Sequence, residues 1–198
     1  MLKKSVKQDA VPIIKIIKDE IITNLDYYTP CAEYDDFESD VNNDILKMVY
    51  INRYNNGKPQ ITYCKGFGLR QGALASSTCH DTHNMRPLQN GLNIIAIGSN
   101  DKDLALVINQ LIYNRGGLVV SDSDKLYSLS LPIAGIMSDR DGKSIAADYI
   151  HIQKTVKDMG VNMSSPFMTL SFLALVVIPF AKIGERGLFD YNKFDWIK

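Results

Sequence analysis

The chain has 198 residues, of which 45% are hydrophobic and 22% are charged, and its formal net charge at pH 7 is zero. This length fits one large domain but is too short for a (β/α)₈ barrel, which needs about 250 residues. The ordinary apolar content argues against intrinsic disorder. We expect no nucleic-acid partner, because the chain has no basic excess to neutralise phosphates.

The three cysteines, Cys31, Cys64 and Cys79, are widely spaced and form no C-x-x-C pair. This usage argues against a secreted disulfide scaffold and against a thiolate zinc site. The N-terminal residues do not have the apolar core of a signal peptide. The longest apolar stretch, residues 172–181, contains Pro179 and is too short to cross a bilayer. We therefore expect a cytoplasmic protein with no membrane partner.

Residues 11–22 contain paired isoleucines broken by lysines, with two acidic residues between two apolar runs. This pattern predicts two short strands joined by a turn. The acidic segment at residues 33–44 could suggest a calcium loop, but it lacks the EF-hand spacing and glycine. A solvated linker fits this charge run better. The sequence thus predicts a β-appendage with an acidic linker in residues 1–44 and a main domain in residues 45–198.

Local patterns in the main domain predict alternating strands and helices. A hairpin is expected to turn at residues 55–57, a strand–helix–strand unit spans residues 92–121, and a second hairpin turns at residues 122–124. A long helix is expected over about residues 142–159. The apolar block 166–179 fits either a buried helix or a buried strand, and the serine–proline start favours a helix for its first half.

These elements together predict an α/β fold: a mixed β-sheet with packed helices, preceded by the short β-appendage. The C-terminal tail, with Phe194 and Trp196, is expected to pack rather than remain free.

Two of the three histidines lie together in C-H-D-T-H-N, residues 79–84. The candidate catalytic residues are therefore His80, Asp81, His83 and Asn84. On a helix the two imidazoles would share a face and could meet one metal ion or one substrate, whereas on a strand they would point apart. No metal ligands are assigned, because a third ligand is not evident. The alternative is a local hydrogen-bond network that fixes a buried turn.

Hydroxyl and glycine residues precede this cluster. Ser76 and Ser77 are candidate substrate-binding residues, and three glycines within residues 66–72 allow a ligand to approach the backbone closely. These glycines lack the spacing of the dinucleotide fingerprint and are weak evidence for a cofactor loop. His151, on the predicted long helix, is expected to be a partly exposed helix residue.

Six blocks of the sequence are distinctive and occur in a fixed order. They are K-G-F-G-L-R-Q-G-A-L-A-S-S (65–77), H-D-T-H-N (80–84), I-I-A-I-G-S-N-D (94–101), L-P-I-A-G-I-M-S (131–138), P-F-M-T-L-S-F-L-A-L (166–175) and R-G-L-F-D (186–190). Together they resemble the C-terminal domain of bacterial adenine deaminases, from about residue 11 to the end. By the same resemblance, residues 11–23 look like the segment that completes the small β-domain of that family.

The resemblance implies an enzyme that converts adenine and water to hypoxanthine and ammonia. In that family a metal-dependent amidohydrolase barrel carries a manganese or iron centre. The H-x-H ligand motif of the barrel does not occur here, and the spacing of His80 and His83 cannot replace it. We therefore expect the chain to lack the barrel, to hold no cofactor of its own and to be inactive alone.

The implied partner is an amidohydrolase barrel domain or subunit, with assembly into a homo-oligomer and adenine bound only in the complete enzyme. Without that partner, the isoleucines near Ile13 and Ile16 are expected to be uncovered. Residues 85–92 intervene where family members usually run from the histidine motif straight into a strand, which suggests an inserted loop.

Two other functions remain open from the sequence. One is a stand-alone small-ligand-binding or regulatory domain without catalysis, holding a small polar ligand near His80 and Asp81. The other is a domain with a hydrolytic metal site of its own.

Overall fold

Eight strands of the part of the chain that the structure describes form one mixed sheet. The computed structural model describes residues 10–30, 38–53, 58–79, 93–123 and 125–197. The strands are β1 (Val11–Ile16), β2 (Thr23–Tyr28), β3 (Ile45–Ile51), β4 (Gln60–Lys65), β5 (Ala73–Ser76), β6 (Ile94–Gly98), β7 (Gly117–Asp122) and β8 (Lys125–Ser130). They lie in the sheet in the order β2-β1-β4-β3-β6-β5-β7-β8. Neighbouring strands are antiparallel, except that β1 and β4 run parallel.

Three α-helices and a small second sheet complete the described architecture. The helices are α1 (Asp101–Tyr113), α2 (Gly142–Asp158) and α3 (Pro166–Phe172), and a 3-10 turn spans Val41–Asn43. The small antiparallel sheet has the order β11-β10-β9, built from β9 (Ala181–Gly184), β10 (Gly187–Asp190) and β11 (Asp195–Trp196). The predicted α/β class, the strand pairing of both hairpins and the helix at the start of block 166–179 are confirmed. The predicted turn at residues 55–57, and residue 124 of the second turn, lie outside the described residues.

The two faces of the large sheet are covered by different elements, because side chains alternate along each strand. Ala73 and Ala75 of β5 pack in a cluster with Leu104, Val107 and Leu111 of α1. On the opposite face, Leu74 belongs to a larger cluster that includes side chains of α2, α3 and the small sheet. The large sheet is therefore the middle layer between α1 and the other elements.

The N-terminal hairpin differs from its predicted form. The turn between the two apolar runs is confirmed, with the Glu20 N–H donating to the Ile17 carbonyl at 3.1 Å. Ile21 and Ile22 were expected to begin the second strand, but they are 52% and 37% exposed, and β2 begins at Thr23. The Thr23 N–H pairs with the Pro179 carbonyl at 3.0 Å, so a contact distant in sequence determines where this strand starts.

The isoleucines of β1 are covered within the chain. Ile13 and Ile14 are 1% and 0% exposed, and Ile16 is 5% exposed. The expectation of an uncovered apolar strand is therefore wrong, because β1 is an inner strand between β2 and β4. The division of the chain at residue 45 remains a prediction, and the described strands on both sides of it belong to one sheet.

Acidic residues at the end of the predicted linker form defined hydrogen bonds. Asp40 caps the 3-10 turn, its Oδ1 accepting from the Asn43 N–H, and it accepts from the Tyr28 hydroxyl at 2.6 Å. The hydrogen bonds from Tyr28 and Asn43 lower the pKa of Asp40. Asp44 accepts from the N–H groups of Gly66 and Gly68 at 2.8 and 2.9 Å. These two carboxylates thus fix the 3-10 turn before β3 and the turn after β4.

None of the helices in the described ranges combines the length and the apolar character needed to cross a membrane.

Candidate functional site

The end of β5 and the start of β6 meet at one end of the large sheet. Ser76 pairs with Ile95 in antiparallel register, so the connection between these strands leaves and returns at the same place. Cys79 and Asn93, the last and first described residues of that connection, are both fully buried. The candidates His80, Asp81, His83 and Asn84, and the insertion 85–92, lie outside the described residues, and their roles remain predictions.

Asn93 anchors the return of the connection to β3. Its side-chain oxygen accepts from the Arg53 N–H at 3.0 Å, and its amide nitrogen donates to the Tyr50 hydroxyl at 2.6 Å. Because a buried amide is costly without partners, these contacts hold the chain firmly at the start of β6.

The two candidate serines point to opposite faces of the sheet. Ser77 lies on the α1 side, where its hydroxyl accepts from the Gly117 N–H at 2.7 Å and donates to the Gly135 carbonyl. Ser76 and Thr78 lie on the other side, where Thr78 contacts the Ser171 hydroxyl of α3 at 3.1 Å. The structure therefore places Ser76 and Ser77 beside different cavities. Their role in substrate binding remains a prediction.

A cavity of about 460 Å³, here called the α1 cavity, adjoins Ser77. Two of its lining residues are basic, Arg53 and Arg115, and the Arg53 guanidinium donates to the Arg115 carbonyl at 3.4 Å. The other lining residues are Ile51, Asn52, Ile94, Leu111, Ile112 and Gly116. Positive charge beside an apolar wall is suited to a small polar or anionic ligand.

Arg115 reaches this position through an uncommon backbone conformation. The α1 helix ends with the Gly116 N–H bonded to the Leu111 carbonyl and the Arg115 N–H bonded to the Ile112 carbonyl, both at 3.0 Å, which is a Schellman motif. Arg115 has φ of 60° at the left-handed position, which usually favours glycine. The first left-handed residue after α1 is thus an arginine, and two glycines with positive φ, Gly116 and Gly117, follow it.

A second cavity of about 330 Å³, here called the α2–α3 cavity, lies on the opposite face of the sheet. Thr78 and Ser171 contribute hydroxyls to it, and Tyr149 and Phe167 contribute aromatic rings whose centroids are 6.5 Å apart. The spacing of apolar residues did not single out these four side chains from core residues. The only signal was the run of hydroxyl residues at 76–78.

Comparison with known proteins identifies the family of the chain. A family model described as the adenine deaminase C-terminal domain matches residues 20–195. The chain belongs to the adenine deaminase C-terminal domain family.

Relatives from several organisms match nearly the whole of this family member. An adenine deaminase of Methanosarcina barkeri is 42% identical over 179 residues, covering 90% of this chain and 31% of the relative. An adenine deaminase of Methanosarcina mazei is 37% identical, covering 98% of this chain and 33% of the relative. One of Borreliella burgdorferi is 39% identical, covering 98% and 34%. The chain thus spans about a third of the length of these relatives.

The described residues of this family member do not fit a manganese or iron centre. Within them, no group of three or more His, Cys, Asp or Glu side chains is arranged to hold a metal ion. Burial raises the pKa of the Cys64 thiol well above its ordinary value, and the nearby Asp44 raises it further, so this sulfur is not a thiolate ligand. The chemistry of such a centre is therefore not assigned to any of these side chains.

Proposed function

We propose that this chain is the non-barrel C-terminal domain of an adenine deaminase, an enzyme of purine salvage that converts adenine and water to hypoxanthine and ammonia. Its role is to support the active site carried by an amidohydrolase barrel domain or subunit. Manganese or iron belongs to the complete enzyme, outside the described residues, and adenine is deaminated only there.

The observation that carries this proposal is the anchoring of the β5–β6 connection. Buried Cys79 and Asn93 fix both of its ends at one end of the sheet, beside two cavities. The family motif H-D-T-H-N falls within this connection. We propose that His80, Asp81, His83 and Asn84 contribute polar groups where this domain meets the barrel. The coverage of only a third of each relative supports the need for such a partner.

A chimera tests the proposal. In the chimera, this chain replaces the matching third of the Methanosarcina mazei relative. The match includes 98% of this chain and 33% of the relative. We expect the chimera to form hypoxanthine from adenine. His83→Ala should lower kcat at least about 10-fold with a near-normal Tm, as for loss of a proton-transfer or positioning group. His151→Ala is the matched control, since His151 is exposed on α2 and its ring makes a T-shaped contact with the Tyr127 ring, with centroids 5.4 Å apart.

Three outcomes would contradict this assignment or part of it. A folded chimera without any deaminase activity would argue against the domain role. An unchanged kcat in the His83→Ala chimera would remove the histidine from the site, and a large fall in Tm would indicate the hydrogen-bond network that fixes a turn.

The second candidate function is a stand-alone ligand-binding or regulatory domain. The α1 cavity favours it, because Arg53 and Arg115 line a space large enough for a small polar ligand. Calorimetry of the chain alone with inorganic phosphate, in the wild type and in Arg115→Leu, tests this candidate. Binding that Arg115→Leu abolishes, together with an inactive chimera, would favour this candidate.

We further propose a cytoplasmic location and assembly into a homo-oligomer. Cys64 and Cys79 are buried thiols outside any disulfide, as expected in a reducing compartment. Light scattering of the complete enzyme tests the oligomer, and a strictly monomeric particle at high concentration would contradict it.

A further inference from the structure

The α2–α3 cavity has an apolar wall with a few polar groups. It lies between the strands β7 and β8 and the helices α2 and α3, and none of its described lining residues carries a charge. The apolar lining residues are Leu118, Leu129, Leu131, Ile136, Ile145, Phe167 and Met168. A volume of about 330 Å³ lies within the range of small-molecule sites. Burying an ion against these walls without a counter-charge would be costly, which favours a neutral occupant.

Hydrogen bonds order the hydroxyls at the polar side of this cavity. Ser171 donates its one proton to the Phe167 carbonyl at 2.9 Å, so Thr78 must donate across the 3.1 Å contact to Ser171. The Thr78 proton is then used, and Ser76 donates to Thr78 at 2.7 Å. Each hydroxyl oxygen has two lone pairs, so Thr78 and Ser171 each keep one for an N–H of a ligand.

Tyr149 supplies the opposite kind of group. Its hydroxyl oxygen accepts from the Gln153 side-chain amide at 3.0 Å, and its own O–H has no acceptor among the described residues. Burial raises the pKa of Tyr149, whereas the hydrogen bond from Gln153 lowers it, and burial is the larger effect. The phenol is therefore a neutral donor at physiological pH.

We propose that the α2–α3 cavity binds a neutral, planar heteroaromatic molecule with both N–H donors and ring-nitrogen acceptors, which is the chemistry of a free nucleobase. The aromatic ring lies against Tyr149 and Phe167, its N–H groups donate to Thr78 and Ser171, and a ring nitrogen accepts from Tyr149. This binding is additional to that at the substrate site of the complete enzyme, where adenine is expected to bind only with the barrel present. The binding uses residues of this chain alone, so it can fail or succeed independently of the proposed deaminase role.

Adenine is a suitable probe because it is neutral and planar and carries both kinds of group. We expect calorimetry of the 198-residue chain to show binding with a Kd below about 1 mM. Tyr149→Phe should weaken adenine binding about fivefold, the loss of one neutral hydrogen bond. Indene, which has a similar fused-ring shape but no hydrogen-bonding group, should bind equally to both proteins. Tyr127→Phe is the matched control, because Tyr127 is a partly buried tyrosine outside the cavity lining.

A blocking pair tests the location. Ile136 lines the cavity and is 40% exposed, while Ile133 is 44% exposed in the same segment and is not among the lining residues. We expect Ile136→Trp to abolish adenine and indene binding and Ile133→Trp to leave both unchanged.

Three results would overturn the proposal. They are no adenine binding at millimolar concentration, equal adenine affinity in the wild type and Tyr149→Phe, or equal loss of binding in both tryptophan variants. If adenine does not bind but Ile136→Trp inactivates the chimera with a normal Tm, the cavity instead receives an apolar group of the catalytic domain.

Discussion

The buried ammonium of Lys182 donates a hydrogen bond of 2.7 Å to the main-chain oxygen of Ile21. Lys182 is in β9 of the small sheet and is 0% exposed, whereas Ile21 is in the turn before β2 of the large sheet. The neighbouring Thr23 hydroxyl also donates to the Ala181 carbonyl at 2.7 Å. These contacts join two sheets whose residues are about 160 positions apart in the chain.

Lys182 should make stability depend on pH in the alkaline range. Burial lowers the pKa of Lys182 from 10.5 to about 8 in the folded protein, so between these values the unfolded chain binds more protons. The contribution of Lys182 to the free energy of unfolding should therefore rise as the pH increases above about 8, by at most about 3 kcal/mol in total. The raised pKa of the buried Cys64 thiol acts in the opposite direction, and it is common to the wild type and the variants compared.

Urea denaturation between about pH 7.5 and about pH 9.5 measures this dependence. Relative to Lys182→Met, the wild type should gain stability over this range, and Lys143→Met, at an exposed position of α2, should show the same gain. The same slope in all three proteins would show that Lys182 is not its source.

Gly72 is a position where any side chain should be poorly tolerated. Its φ is +69°, and an added Cβ would lie 2.0 Å from the Ser121 carbonyl oxygen and 2.7 Å from the Met159 side chain. We expect Gly72→Ala to lower the free energy of unfolding by about 3 kcal/mol or more. Gly142, at the start of α2, has nothing within 4 Å of an added Cβ, so Gly142→Ala should be neutral or slightly stabilising. Chemical denaturation of both variants would refute this if their stabilities agreed.

Asp44 should stabilise the turn after β4. Both of its oxygens accept main-chain N–H groups, from Gly66 and Gly68, and Asp44→Asn would place an amide donor against one of those donors. We expect a loss of about 1–3 kcal/mol in the free energy of unfolding. The control Asp158→Asn removes only an exposed i,i+4 pair with Lys154 and should cost less than about 0.5 kcal/mol. Equal costs in urea titrations would contradict the proposed role of Asp44.

The chain alone should not deaminate adenine. Its described residues hold no cluster suited to a metal ion, and the sequence has only three histidines and no H-x-H motif. An ammonia-release assay on protein incubated with manganese or iron measures this directly. Turnover well above that of the metal-free protein would contradict the expectation and favour a hydrolytic site within the domain.

Local sequence patterns were sufficient where the determining contacts are close in the chain. The β6–α1–β7 unit was predictable because its apolar spacing, its Asn100 cap and its glycine stop all lie within about 30 residues. The N-cap oxygen of Asn100 accepts from the Asp103 N–H at 2.8 Å, a bond between residues three apart. Helix α2 was predictable for the same reason, and the ordered motifs carried the family assignment.

Contacts between distant residues could not be predicted in this way. The parallel pairing of Ile14 with Cys64 covers β1, and no local pattern reports which strand will lie beside another. Lysine is usually exposed, so the burial of Lys182 could not be predicted from its residue type. Its hydrogen-bond acceptor, the Ile21 carbonyl, comes from the other end of the chain, and no local pattern indicates that contact.

The positions of the two candidate serines combine both kinds of information. The alternation of Ser76 and Ser77 follows from strand geometry, but only the packing of α1 on one face and α3 on the other places them beside different cavities. Local elements and family membership were readable from the amino-acid order, because they depend on residues that are near one another in the chain. Burial, strand order and the cavities emerged only from the folded arrangement, because they depend on which distant surfaces meet.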